Sequence, residues 1–300
     1  MNLPSGPPAR SPPGSGQPEL PMPFVHQKYG KAQMRLFRVC RQADRHDVRE
    51  VRVKVMLEGD FTAAYVAADN TQVIATDSMK NLVHVLALEH LQADNEPFAE
   101  TMARTFLERY AHVSRVVVEL EEAAWQRMEI DGRPHPHSFL PGDGSRPWCK
   151  VTRTRSTGDL LSGIRNLRIM KTTESGFSDF RRDAYTTLPE TTDRILCTRL
   201  QTVWNYVATP VGYPAVAAAV RRALLRVFAA TYSASVQDSL FRMGEAVLAA
   251  VPEIGEISLA MPNIHYHPID LSAFGQDAAN RLFLPTDEPH GDIEATLRRA

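Results

Sequence analysis

Cysteine is scarce in this 300-residue sequence, which has three: Cys40, Cys149 and Cys197. They lie far apart and form no CxxC pair, and an odd number excludes a closed disulfide framework. Buried, reduced thiols in a cytoplasmic, bacterial-type protein are the expectation. Charge of one sign is lacking too. The formal net charge is −1, so no overall field draws the chain to nucleic acid or to an anionic membrane. No apolar run is long enough to span a bilayer. The start shows no basic-then-apolar leader pattern, and the closing Leu-Arg-Arg-Ala is not a peroxisomal address. What is present is an apolar content of 43%, normal for a globular protein. The length suits one large domain or two ordinary ones.

Proline is unevenly spread. Eight of the 21 prolines fall in residues 1–23, which denies that stretch a helix or a central strand. A disordered extension is expected as far as residue 27. Beyond it, "VREVRVKVML" sets Val51, Val53, Val55 and Leu57 against Glu50, Arg52 and Lys54, the alternation of a half-buried strand. "FTAAYVAADNTQVIAT" reads as neighbouring strands joined at Asp69-Asn70. Two helical stripes follow, Met79, Leu82, Val83 and Leu86 with Ser78 as cap, then Phe98, Met102, Phe106 and Tyr110. A strand returns at "SRVVVELEEAAWQRMEI".

"RPHPHSFLPGDGSRP" reads as a break and as the boundary between domains 28–140 and 141–300. After it the order repeats. Strands are expected at "WCKVTRTRS" and "GIRNLRIMKTT", helices near 213–229 and 236–250, and a strand through "GEISLAMPNIHYHPI". Hairpin-joined strands with paired helices on one face imply an antiparallel α+β layer. Its second face needs cover, which further copies of the chain could supply by closing the sheets into a barrel.

Several residues carry chemistry in principle. His265 and His267 sit two apart near a strand, but no HxH…E or CxxC spacing completes a metal site around them. His135 and His137 suit a solvated loop. Thr76, Asp77 and Ser78 stand at a helix start, where capping competes with an anion contact through backbone N–H groups. Lys31 follows a glycine. Arg194 enters an apolar run, where a planar anion or a structural salt bridge would satisfy it. Gln237 begins the last long helix, where a solvated first-turn residue is the plainer alternative.

Taken in order, "YGK", "VIATDSMKN", "FRRDAYTTLPETTDRILCT", "SASVQDSLF" and "PNIHYHPIDLS" resemble urate oxidase (uricase), and the likeness runs from about residue 28 to the end. The resemblance implies two tandem tunnelling-fold domains of ββααββ order, assembled as a homotetramer with active sites between subunits. It implies oxidation of urate by dioxygen and water to 5-hydroxyisourate and hydrogen peroxide, with no metal and no organic cofactor. Carried over by motif, Lys31, Thr76 and His265 match the family's proton relay. Arg194 and Gln237 match its clamp on opposite edges of urate, and Phe177 the stacking ring. Asn263 matches the holder of dioxygen or water. Asp77 and Val236 would offer backbone N–H groups to the substrate edge. Ile264 stands where the family often has a basic residue, with its side chain expected to point away from the site.

The rivals are another tunnelling-fold enzyme acting on a purine or pterin ring, and a catalytically silent ring binder. Pterin enzymes of this fold typically anchor the ring with glutamate, and some use a Cys/His zinc site. The Arg194/Gln237 pair argues against the first. The joint presence of Lys31, Thr76 and His265 argues against the second.

Overall fold

The computed structural model describes residues 24–91, 94–278 and 280–299. The proline-rich stretch 1–23, most of the expected disordered extension, lies outside the described residues. Its last part does not hang free. The Phe24 ring lies 5.1 Å from Tyr65, and Gln27 donates to the Thr62 hydroxyl.

The first half runs β1 (Tyr29–Arg41), β2 (His46–Gly59), α1 (Thr62–Val66), α2 (Thr76–His90), α3 (Asn95–Arg109) and β3 (Val113–Ala123). A small hairpin, β4 (Trp125–Ile130) and β5 (Arg133–Pro141), precedes β6 (Arg146–Thr154). The second half runs β7 (Gly158–Lys171), β8 (Leu196–Tyr206), α4 (Tyr213–Ala230), α5 (Val236–Ala250), β9 (Ile254–Ala260), β10 (Asn263–Pro268), β11 (Phe283–Gly291) and β12 (Glu294–Arg298). Among the described residues, ten strands form one antiparallel sheet. Its path is β1-β2-β3-β6-β7-β8-β10-β11, with β9 and β12 branching from β8. The α+β expectation holds.

Three local expectations fail. "FTAAYVAADNTQVIAT" is not strand: residues 62–66 are α1, Thr76 begins α2, and the rest is turn and irregular backbone. Its alanines favour helix, and the segment has no alternation to place on a sheet. "RPHPHSFLP" is not a loop but β5, paired with β4. A two-stranded hairpin is all edge, so its prolines remove no required ladder bond. The last strand breaks at Pro262 into β9, which follows the 201–206 end of β8, and β10, which pairs with Cys197 and Thr198.

Two apolar clusters lie under the helices. One runs from Met34 to Val151 and takes in Cys149 on β6. The other runs from Ile164 on β7 to Met261. Strand β6, which lies beyond residue 141, packs with the first cluster through Cys149 and Val151.

The repeat reaches individual residues. Buried α3 positions Asn95, Phe98, Met102 and Phe106 match Val236, Ser239, Met243 and Val247 of α5 at one constant offset. On the next strand Val113, Val116 and Val118 match Ile254, Ile257 and Leu259 at the same offset, and Leu120 matches Met261 just past the end of β9. Strands β1 and β7 share an irregularity, between Lys31 and Met34 and between Ile164 and Leu167. Gln33 (φ 59°) and Asn166 (φ 57°) are left-handed at the two places. Each is preceded by a glycine pressed on its partner strand. A Cβ on Gly30 would lie 1.9 Å from the Val55 carbonyl oxygen, and one on Gly163 2.3 Å from that of Thr202. Arg155 and Arg299 then cap the C-terminal ends of α3 and α5. Arg155 donates to the carbonyls of Leu107, Tyr110 and Val113, and Arg299 to those of Leu248, Val251 and Ile254.

Candidate active site

Lys31 sits half-buried in the β1 irregularity, directly after Gly30. Tyr29 ties this strand to the approach of α2: its hydroxyl accepts from the Ile74 N–H at 2.8 Å and donates to the Ile74 carbonyl at 3.3 Å. Thr76 is therefore delivered beside β1. It is the first residue of α2, whose N-cap is Ala75 and has no side-chain cap, so Ser78 does not play the expected part. The first backbone N–H groups of α2 are left for another acceptor. The Asp77 carboxylate is exposed and held below its usual range, first by Lys80, with a smaller contribution from the Lys31 charge. Lys31, Thr76 and Asp77 thus form one cluster.

The second cluster is built on a pinned loop between β7 and β8. Phe177 and Thr191 exchange backbone hydrogen bonds at 2.7 and 3.0 Å, the Arg194 N–H donates to the Ser175 carbonyl, and the Gly176 N–H donates to Ser233. These bonds set Phe177 beside Arg194, whose guanidinium carbon lies 5.4 Å from the ring centroid. Phe180, which the sequence motifs did not single out, stacks on Phe177 at 4.8 Å and 11°. Arg194 lies just before β8 rather than within it. Its Nε is shielded from solvent and has no hydrogen-bond partner, and burial lowers its pKa. A half-buried guanidinium with a shielded, unspent N–H calls for an acceptor, and a planar anion supplies one in matching geometry.

Val236 and Gln237 open α5. Ser235 caps this helix through the Asp238 N–H, and Ser239 bonds Ser233 at 2.6 Å, tying the helix start to the Phe177 loop. Asn263 pairs with Thr198 on β8 and Gly291 on β11, and the register on β11 then slips before His265. The His265 and His267 rings stack at 5.6 Å, so both do share a face, while Ile264 is buried. Burial lowers the His265 pKa first, helped by His267, Arg194 and His290. The neutral imidazole is therefore the favoured form near pH 7, able to accept a proton and pass it on. Among the described residues, no group of three or more His, Cys, Asp or Glu is placed to hold a metal ion.

Within one chain the two clusters are apart. β1 and β10 are six steps apart along the sheet path, roughly 29 Å at about 4.8 Å per strand. They share no hydrogen bond, ion pair or ring contact among the described residues. Lys31, Thr76 and Asp77 belong to one end of the sheet, and Phe177, Arg194, Val236, Gln237, Asn263 and His265 to the other.

Comparison with known proteins gives a consistent picture. The uricase family model matches residues 27–152 and 160–294. The uricase of Arthrobacter globiformis is 39% identical over 272 residues, covering 91% of this chain and 88% of that protein. That of Oryctolagus cuniculus is 37% identical over 283 residues, covering 92% and 94%. The crystal structure of the Arthrobacter globiformis uricase superposes with a TM-score of 0.86 at 38% identity, over 93% of this chain and 95% of that one. The urate oxidase of Bacillus sp. TB-90, at 23% identity and a TM-score of 0.81, shares the fold.

Proposed function

Because this chain belongs to the uricase family, a family of the tunnelling fold, it is a urate oxidase, and we propose that its active sites lie between subunits of a homotetramer. In our reading urate reacts with dioxygen and water to give 5-hydroxyisourate and hydrogen peroxide, with no metal or organic cofactor.

The observation that carries the shared site is the six-strand separation of the two clusters. A template for bringing them together exists inside the chain. At the junction of the halves, the Ser162 hydroxyl on β7 donates to Glu96 at the start of α3, at 2.6 Å. Tyr213, at the start of α4, feels the same carboxylate. By the repeat, Glu96 corresponds to Gln237, Ser162 to Tyr29, and Tyr213 to Thr76. A neighbouring subunit whose β1 and α2 stood beside α5 as β7 and α4 stand beside α3 would bring its Lys31 and Thr76 to Gln237 and Arg194. The same placement continues the sheets from chain to chain toward a barrel.

Each residue then has a physical task. The Arg194 fork and the Gln237 amide read opposite edges of a planar anion. The backbone N–H groups of Asp77 and Val236 meet the remaining edge oxygens. Phe177 stacks on the ring, a contact of about 1–3 kcal/mol for a base on an aromatic side chain, and Phe180 backs it. Removing a further proton makes urate electron-rich enough to pass electrons to dioxygen. Lys31, Thr76 and His265 form the path for that proton. Asn263 holds dioxygen, then the water that attacks the oxidised ring. Three unpaired cysteines, two of them buried, favour a cytoplasmic location.

The test is loss of urate's ultraviolet absorbance with matching dioxygen uptake and peroxide release, in chelator-treated protein. Full activity is expected. Strong inhibition reversed by one particular metal would overturn the cofactor-free reaction.

A further inference from the structure

The repeat that pairs Glu96 with Gln237 also pairs Asn95 with Val236, and it pairs Glu122, which faces Val51 on β2, with Asn263, which faces Thr198 on β8. At the junction of the halves, then, stand the counterparts of three residues assigned to the active site. An arginine stands there too. Arg49 starts two residues further along β2 than the strict counterpart of Arg194, yet its fork ends among these groups. Its Nε donates to Glu122 Oε1 at 3.1 Å and its Nη2 to Glu122 Oε2 at 2.8 Å. Nη2 also reaches Asn95 Oδ1 at 2.6 Å, and Asn95 Nδ2 returns a bond to Glu122 Oε2 at 3.0 Å. The carboxylate takes the two-pronged position that a planar anion takes on a guanidinium. The relay has no counterpart at this junction: Ile164 stands for Lys31, Tyr213 for Thr76 and Ala124 for His265.

We propose that the junction between the halves is a second copy of the anion clamp, held shut by the chain's own Glu122 carboxylate, so that each chain offers one open clamp instead of two. The ligand class is a carboxylate or similarly planar anion, and Glu122 is its built-in occupant. The neighbouring Glu96, whose pKa is raised first by burial against the lowering effect of its bond from Ser162, fills the place of the Gln237 amide. This inference rests on the assignment of Arg194 to urate and of Asn263 to the same active site.

Two exchanges test it. In the first, Glu122→Ala empties the clamp of the full-length oligomer, and formate is the probe. The unfolding midpoint should fall, formate should restore it saturably, and Glu122→Ala combined with Arg49→Met should not respond. If Glu122→Ala does not survive purification, recovery of folded protein in formate, but not in chloride of equal ionic strength, reads the same property. A formate effect no larger than that on the unsubstituted protein, or no recovery, overturns the proposal. In the second, Asn263→Glu moves the plug into the open clamp. Anaerobic urate binding should weaken at least ~10-fold more than in Asn263→Gln, because a charged acceptor now competes for Arg194. Equal weakening overturns the closure. If Arg194→Ala leaves urate binding intact, the assignment of the urate site has failed, whereas the formate arm involves no urate and stands alone.

Discussion

At the start of α3 the carboxylates of Glu96 and Glu122 engage the donors around them, Ser162 and Arg49. At the start of α5 the amides Gln237 and Asn263 stand in the corresponding places, and Arg194 keeps a buried Nε–H with no partner. Buried positions of the strands and helices around the two places match at constant offsets, the left-handed kinks recur, and an arginine caps each helix end. In our reading, amides in place of carboxylates separate a junction satisfied by its own side chains from one open to a ligand.

The comparison breaks most visibly at the reacting groups. Lys31→Met should lower kcat by roughly 100- to 10,000-fold with little change in urate affinity, the range for a group that transfers a proton in the transition state. Arg194→Ala should act on binding, by about 1.5–3 kcal/mol for a lost charged hydrogen bond. Steady-state kinetics beside anaerobic urate titrations separate the two, and equal small effects would contradict the roles. The paired glycines come next. Gly30→Ala and Gly163→Ala each press a methyl into a carbonyl oxygen and should cost at least about 1–3 kcal/mol in denaturant unfolding. Gly30→Ala should also depress turnover, because it moves Lys31, whereas Gly163→Ala should leave the turnover of folded enzyme unchanged. The arginine caps should behave as twins, Arg155→Met and Arg299→Met each losing about 1.5–3 kcal/mol. The smallest effect is on pH. Burial and positive neighbours depress the His265 pKa, so the neutral, proton-accepting form persists below the ordinary histidine range. Activity that needs it is fully present at higher pH and is lost as pH falls through that depressed value. His267→Ala removes one positive neighbour, so the acid limb of the kcat profile should move to higher pH.

Much of this was legible in the sequence, for reasons that also explain the misses. The β2 alternation and the stripes of α2 and α3 announce half-buried elements, because solvent on one side forces a period. The proline-containing β5 and the alanine-rich α1 have weak periodicity, and composition misleads there. The chemistry-bearing residues were found through motif order rather than spacing, since they meet only through tertiary and, in our reading, quaternary structure. Tyr29 and Phe180 escaped because their work is positional: a hydroxyl on the Ile74 peptide and a ring behind another ring leave no local signature. The plug at Glu122 becomes visible only when the two halves are laid in register.

The central claim is that the site is shared, and mixing two inactive variants tests it most directly. Lys31→Met and Arg194→Ala chains, unfolded together and reassembled, should recover activity in about one quarter of their sites under random association, because each hybrid interface pairs an intact lysine with an intact arginine. Hybrid oligomers shown to have formed and yet as inactive as either parent would contradict the account.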